Sequence, residues 1–166
     1  MRARRPMLLA VLAVAAVVML SACSSGGGSA RTVTVTHGVI AGALVKAGDT
    51  SPAVGDMRVF EIATRSDAES GAGRLDAILT TTGVDAPDKG SEIRIGRLIF
   101  SFANAADQIV VDGVSVYPAA GATIAVDSST IRPITGGSGA YAGARGWCES
   151  FHLADGTWKH VLHLLG

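Results

Sequence analysis

The chain has 166 residues with 14 basic and 14 acidic side chains, a formal net charge of zero. That length suits one domain with a sizeable core, and the lack of a basic block argues against a nucleic-acid partner. Two cysteines leave no disulfide framework once the first is assigned below, so the fold must rely on packing.

The first 22 residues read as a removable signal. Residues 1–6, M-R-A-R-R-P, carry three arginines and no acid. Residues 7–20 are an uninterrupted apolar run, shorter than the roughly 20 residues that span a bilayer. A basic start, a short apolar run and small residues after it make a secretory signal. Leu20-Ser21-Ala22-Cys23 resembles the lipobox of bacterial lipoproteins. The resemblance implies cleavage after Ala22, lipidation (palmitate among the acyl chains) on Cys23, and residence on the extracytoplasmic face of the cell membrane. Each buried methylene adds about 0.8 kcal/mol to such an anchor. Residues 23–31 are then the lipidated cysteine and a Ser/Gly tether. Cleavage leaves 144 residues with a net charge of −3 and Cys148 with no intrachain partner.

Residues 32–166 form the expected folded domain. Its pattern is mostly period two, which predicts strands over 32–36, 57–64, 74–82, 92–102, 108–116, 122–126, 129–134, 145–153 and 157–165. Residues 39–45 are apolar and glycine-interrupted and have no assignment. Turn-like breaks fall at 66–73, 83–90, 103–107, 118–121, 136–143 and at Asp155-Gly156. Nowhere does a 3.6 period persist. Many short strands at close spacing predict an all-β barrel or sandwich, and a closed barrel removes exposed edges.

Asp155-Gly156 reads as a two-residue type I′ turn. That turn pairs Leu153 with Trp158, Phe151 with His160, Glu149 with Leu162 and Trp147 with Leu164. The predicted inner face carries Trp147, Glu149, Phe151, Leu153, Trp158, His160, Leu162 and Leu164, apolar except for Glu149 and His160. These two are diagonal neighbours and form a candidate acid–base pair. Trp147, Phe151, Trp158 and Leu162 are candidate ligand contacts. The pairing turns His160 inward but His152 and His163 outward, so they do not converge on an ion and no metal site is expected. Cys148 falls opposite His163, a geometry that a thiolate nucleophile could use. A small buried cysteine is the plainer reading.

Residues 136–146, G-G-S-G-A-Y-A-G-A-R-G, resemble the G-G-T-G-x-[FY]-x-x-A-R-G signature of dirigent proteins and the G-G-S-G motif of plant allene oxide cyclases. Gly55-Asp56-Met57 leading to Phe60 resembles their G-D-x-x-x-F segment. Phe100 and Phe102, then Asp107-Gln108-Ile109 and Gly113, follow in family order. The resemblance covers residues 54–165. It implies an eight-stranded antiparallel β-barrel with an apolar cavity and frequent homotrimers, though single-domain barrels of this type need not oligomerise; no cofactor is expected. Gly136, Gly137, Gly139, Gly143 and Gly146 would serve the turn of the signature.

The catalytic residues of allene oxide cyclases do not carry over. Residues 32–36 lack the acid, Phe60 is followed by Glu61-Ile62 where an asparagine stands, and the cysteine position falls near Ala77. Dirigent-type chemistry uses acidic, tyrosine and arginine side chains, for which Glu61, Arg74, Asp76 and Arg97 are available in type. Three readings follow. The first is a membrane-tethered barrel that binds an apolar small molecule without chemistry. The second is an isomerase or cyclase of allene oxide cyclase or dirigent type, and the third a scaffold filled by its own side chains. The departures weigh against catalysis.

Overall fold

The computed structural model describes residues 30–69 and 71–166. The expected signal, Cys23 and most of the tether lie outside the described residues. Nine strands are present among those described: β1 (Arg31–His37), β2 (Ala43–Val45), β3 (Met57–Ser66), β4 (Ala72–Val84), β5 (Ser91–Ser101), β6 (Gln108–Pro118), β7 (Ser128–Ser138), β8 (Gly146–His152) and β9 (Trp158–Leu164).

Alternation decides which side of each strand is buried. In β1, Val33 and Val35 are 1% exposed while Thr32, Thr34 and Thr36 point outward. The same rule brings Phe60, Leu75, Leu79, Leu98, Phe100, Ile109, Val111 and Leu162 into one core. Each such side chain contributes about 1.5–3 kcal/mol on burial. A single sheet can bury one face completely only by closing on itself. Antiparallel pairings run from β3 through β4, β5, β6, β7, β8 and β9 to β1, and a short β1–β3 pairing closes the ring. The result is an eight-stranded antiparallel barrel with β2 as an outside strand on β3. The ring and its core are complete within residues 31–164, so this part carries its own fold.

The seam is incomplete. β1 meets β3 only at Val35–Ser66 and Thr36–Arg65, and β2 meets it only at residues 57–59. Residues 60–64 of β3 therefore have no strand partner on that side. Residues 38–42, most of them in the segment left unassigned from sequence, fold inward there as a loop. Gly42 returns the chain so close to Phe60 that a Cβ would lie 2.2 Å from its ring.

Three sequence expectations are corrected. Residues 122–126 are a loop, because their carbonyls serve side chains: Arg94 donates to Ala122 O and His152 Nδ1 to Ile124 O. Gly136 and Gly137 lie within β7, and the turn begins at Gly139, which has φ +56°. Gly137 is required for space rather than for its backbone angle: a Cβ there would sit 2.3 Å from Tyr141 O. Tyr141 packs on Phe102 with ring centroids 4.5 Å apart and closes that end of the barrel.

The third correction is the last hairpin. Leu153 N donates to Thr157 O and Gly156 N to Leu153 O, with Gly156 at φ +80°. The loop thus has three residues, 154–156, with glycine in the left-handed position. One extra residue shifts the register, so Ser150 opposes His160, Glu149 opposes Val161 and Cys148 opposes Leu162. A shift of one turns β8 over. Cys148 and Ser150 face inward; Trp147, Glu149 and Phe151 face outward.

Candidate functional site

The described chain enters β1 at the end closed by Tyr141, where the Arg31 guanidinium lies 5.1 Å from the Tyr141 ring. At the opposite end, β1, β4, β6 and β8 finish and the loops carrying Ile40, Thr123 and Ile124 fold inward. Beneath them lies a cavity of about 40 Å³, space for roughly three waters. One wall is apolar: Phe60, Ile62, Leu75, Ala77, Leu79 and Leu98. The other wall gathers Tyr117, Thr130, Arg132, Ser150 and His160, with His37 and Trp158 at the rim. His37 and Trp158 also border a larger outer groove of about 840 Å³ along the incomplete seam.

A directed hydrogen-bond chain runs through the polar wall. His37 Nδ1 lies 2.7 Å from Gly38 O, and its Nε2 lies 3.1 Å from His160 Nε2. His160 Nδ1 lies 2.8 Å from Ser150 Oγ, which lies 3.6 Å from Cys148 Sγ. A carbonyl only accepts, so His37 Nδ1 carries the proton and neutral His37 accepts at Nε2. His160 then donates from Nε2 and accepts the Ser150 hydroxyl proton at Nδ1, and Ser150 accepts from the Cys148 thiol. Burial favours this neutral chain. Burial pushes His160 down to about 3, assisted by the repulsion a protonated His37 would exert and by the Arg132 charge. Burial also lowers His37, despite its bond to Gly38 O. Burial pushes the Cys148 thiol up to about 11, so it is the inert small core residue rather than a nucleophile. The chain is a proton relay by geometry, linking the interior to the rim.

At the same end, on β3, β4 and β5, is an ionic cluster. Glu92, fully buried, accepts from Thr81 Oγ1 at 2.8 Å, Arg94 Nε at 3.1 Å and Ala120 N at 2.6 Å, and Arg58 approaches at 3.5 Å. Burial alone would raise the Glu92 carboxyl, but these donors outweigh it and hold it below the ordinary value. Arg94 stacks over the Tyr117 ring at 4.4 Å and donates to Gly121 O at 2.6 Å. Tyr117 in turn accepts from Arg132. The cluster ties the loop after β6 to the barrel wall.

Of the residues singled out from sequence, His160, Trp158 and Leu162 lie inside as expected. Trp158 stacks on His152 with centroids 4.5 Å apart, so His152 lies at the cavity end and not on the outer face. Glu149 and Phe151 are half-buried on the outside, with Phe151 beneath Lys159. Trp147 is 39% exposed and stacks on His163. The geometry does not assemble the Glu149–His160 pair; Ser150 holds the position assigned to the acid. Glu61, Arg74, Asp76 and Arg97 are also on the outer wall. Arg74 binds Asp76 at 2.8 Å and Arg97 binds Asp112 at 2.7 Å.

Arg58, Glu92, Arg94, Tyr117, Arg132 and His37 were missed. Strand parity carried the signal: Glu92 and Arg94 are in phase with Leu98 and Phe100, Arg132 with Ile134, and His37 with Val33 and Val35. The habit of turning charges outward hides it.

No family model matches the chain, and no curated protein matches it. Solved structures do. A pyocyanin demethylase is 24% identical, with 82% of this chain and 99% of that one covered and a TM-score of 0.57. A pterocarpan synthase dirigent protein is 14% identical, with 93% and 96% covered and a TM-score of 0.55. Both are eight-stranded barrels, and the likeness is one of fold.

Proposed function

We propose that this chain is an exported lipoprotein, tethered through Cys23 to the extracytoplasmic face of the cell membrane, whose barrel takes up a compact, mainly apolar small molecule. The observation that carries the reading is the cavity, an apolar wall faced by a few convergent polar groups, which meets the larger outer groove at His37 and Trp158; the inner space takes one end of a ligand whose body lies across that rim. Its mouth lies at the end opposite to where the chain enters β1, so an N-terminal anchor would leave it open. The outer wall presents exposed Val59 beside Ile78 and exposed Ile95 beside Val114. Such rungs support self-association, and light scattering of residues 30–166 tests for trimers.

Mass spectrometry of what co-purifies with the exported barrel tests the binding reading. A bound small molecule is expected; an empty barrel that captures no apolar probe would favour a scaffold. Labelling with a clickable fatty acid tests the anchor: Cys23→Ser should abolish it, and undiminished labelling would overturn the assignment.

The relay supports a second reading. His37 and His160 could move a proton at a ligand's edge, as in an isomerisation or cyclisation, and both structural neighbours carry enzyme names. Recovery of a captured molecule chemically changed in wild type but unchanged in His160→Gln would favour it.

A further inference from the structure

Three guanidinium groups lie inside the barrel: Arg58, Arg94 and Arg132, 4%, 0% and 3% exposed. Arg58 and Arg94 share Glu92. The other buried carboxylate, Asp56, is occupied by Ala47 N, Ala53 N and Ser51 Oγ. Arg132 forms no ion pair among the described residues. Its one hydrogen bond runs from Nη2 to the Tyr117 hydroxyl, and its Nε is buried with no partner. Burial raises the Tyr117 phenol above its ordinary value against the pull of the neighbouring guanidiniums, so Tyr117 is a neutral partner and no counter-charge. A guanidinium stays protonated in a protein, and an unpaired buried charge is costly.

The cation also has a built seat. Gly96 and Gly113 face each other on β5 and β6, and the Arg132 side chain lies in the space they leave. A Cβ on Gly113 would stand 3.2 Å from Arg132 Cγ, and one on Gly96 3.6 Å from Nε. Arg132 and Tyr117 both line the cavity, opposite its apolar wall. Because the Tyr117 oxygen accepts from Arg132, its own proton is left to donate.

We infer that Arg132, with Tyr117, forms an anion subsite, and that the ligand is a compact apolar skeleton bearing one anionic oxygen, a carboxylate or a phenolate. This rests on the cavity being a ligand site. The ligand supplies the charge that the interior lacks, with Arg132 and Tyr117 donating to its oxygen.

The test uses residues 30–166 carrying Trp147→Phe, which leaves Trp158 at the cavity rim as the fluorophore. Three probes of matched size are titrated at pH 8.5: 4-nitrobenzoate, 4-nitrophenolate and the neutral 4-nitrobenzyl alcohol. At least one anion should bind about tenfold tighter than the alcohol, and which anion binds separates carboxylate from phenolate. Arg132→Met should erase that preference, bringing the anion's affinity to that of the alcohol in the same variant; Arg132→Gln serves if the methionine variant does not fold. In wild type the preferred anion should also raise Tm more than the alcohol does. Equal binding of all three probes, or a preference that survives both substitutions, overturns the anion subsite and leaves the binding reading intact. Binding of no probe overturns both.

Discussion

The Nε2 atoms of His37 and His160 lie 3.1 Å apart inside the barrel, and each ring is held at its other nitrogen, His37 by Gly38 O and His160 by Ser150 Oγ. A proton added at His37 Nε2 would set two donors against each other, and burial keeps His160 neutral. The pair joins the first strand of the barrel to the last, so its protonation state is coupled to closure of the ring.

That coupling sets a pH dependence. Both histidines have folded values lowered by burial, to about 3 for His160, whereas the unfolded chain takes up these protons near pH 6.5. Between those limits the unfolded state binds more protons, so the contribution is complete above pH 6.5 and is lost as pH falls. His160 alone should cost about 2 kcal/mol by pH 5. Urea midpoints measured from pH 7.5 to 5 should fall, and His160→Gln should flatten the profile. A flat wild-type profile would mean the pair is charged or open to water.

Adjacent residues of β8 should behave oppositely. Glu149→Gln changes an outward side chain and should shift Tm by no more than about 2 °C, with binding of nitroaromatic probes unchanged. Ser150→Ala removes the donor to His160 Nδ1 and should cost about 1–3 kcal/mol. Equal sensitivity at both positions would contradict the three-residue hairpin loop.

The glycines of residues 136–139 are not equivalent. A Cβ at Gly136 meets nothing within 4 Å, so Gly136→Ala should be near neutral. At Gly139 the left-handed angle, φ +56°, coincides with a Cβ position 2.0 Å from Asp107 Oδ1. Gly139→Val should therefore cost roughly 3 kcal/mol or more. Gly137→Val should cost a similar amount from the contact with Tyr141 O alone. Thermal melts of the three variants rank these causes; a Gly137→Val melt like wild type would show that the turn can yield.

Cys148 is the sole thiol of residues 30–166 and is fully buried. With its thiol pushed up to about 11, it should react with a disulfide reagent at pH 8 only as fast as the barrel opens. Labelling in urea should track unfolding measured by tryptophan fluorescence. Rapid labelling of the native protein would place Cys148 at an accessible surface.

Much of the architecture could be read directly from the chain. The strands at 57–64, 74–82, 92–102 and 108–116 emerge at nearly their observed places, because each is a long, mainly apolar stretch bounded by turn residues. The eight-stranded barrel followed from the glycine signature and its order relative to Phe60 and Phe100. Residues 122–126 misled because an alternating segment without a neighbour to pair with has no ladder. Its carbonyls go to Arg94 and His152, which come from distant strands.

The sequence by itself determined where the long strands run and the spacing of two along each. It also determined that Trp158, His160 and Leu162 share a face. Only the tertiary structure decided which side of β8 joins them. Alternation defines two faces but assigns neither to the interior, and one residue more in a hairpin loop exchanges them. The same holds for the charges. Whether Glu92, Arg94 and Arg132 point into the barrel depends on partners supplied by other strands, on Tyr117 and on the paired gap at Gly96 and Gly113. No local pattern records contacts that exist only once the ring has closed.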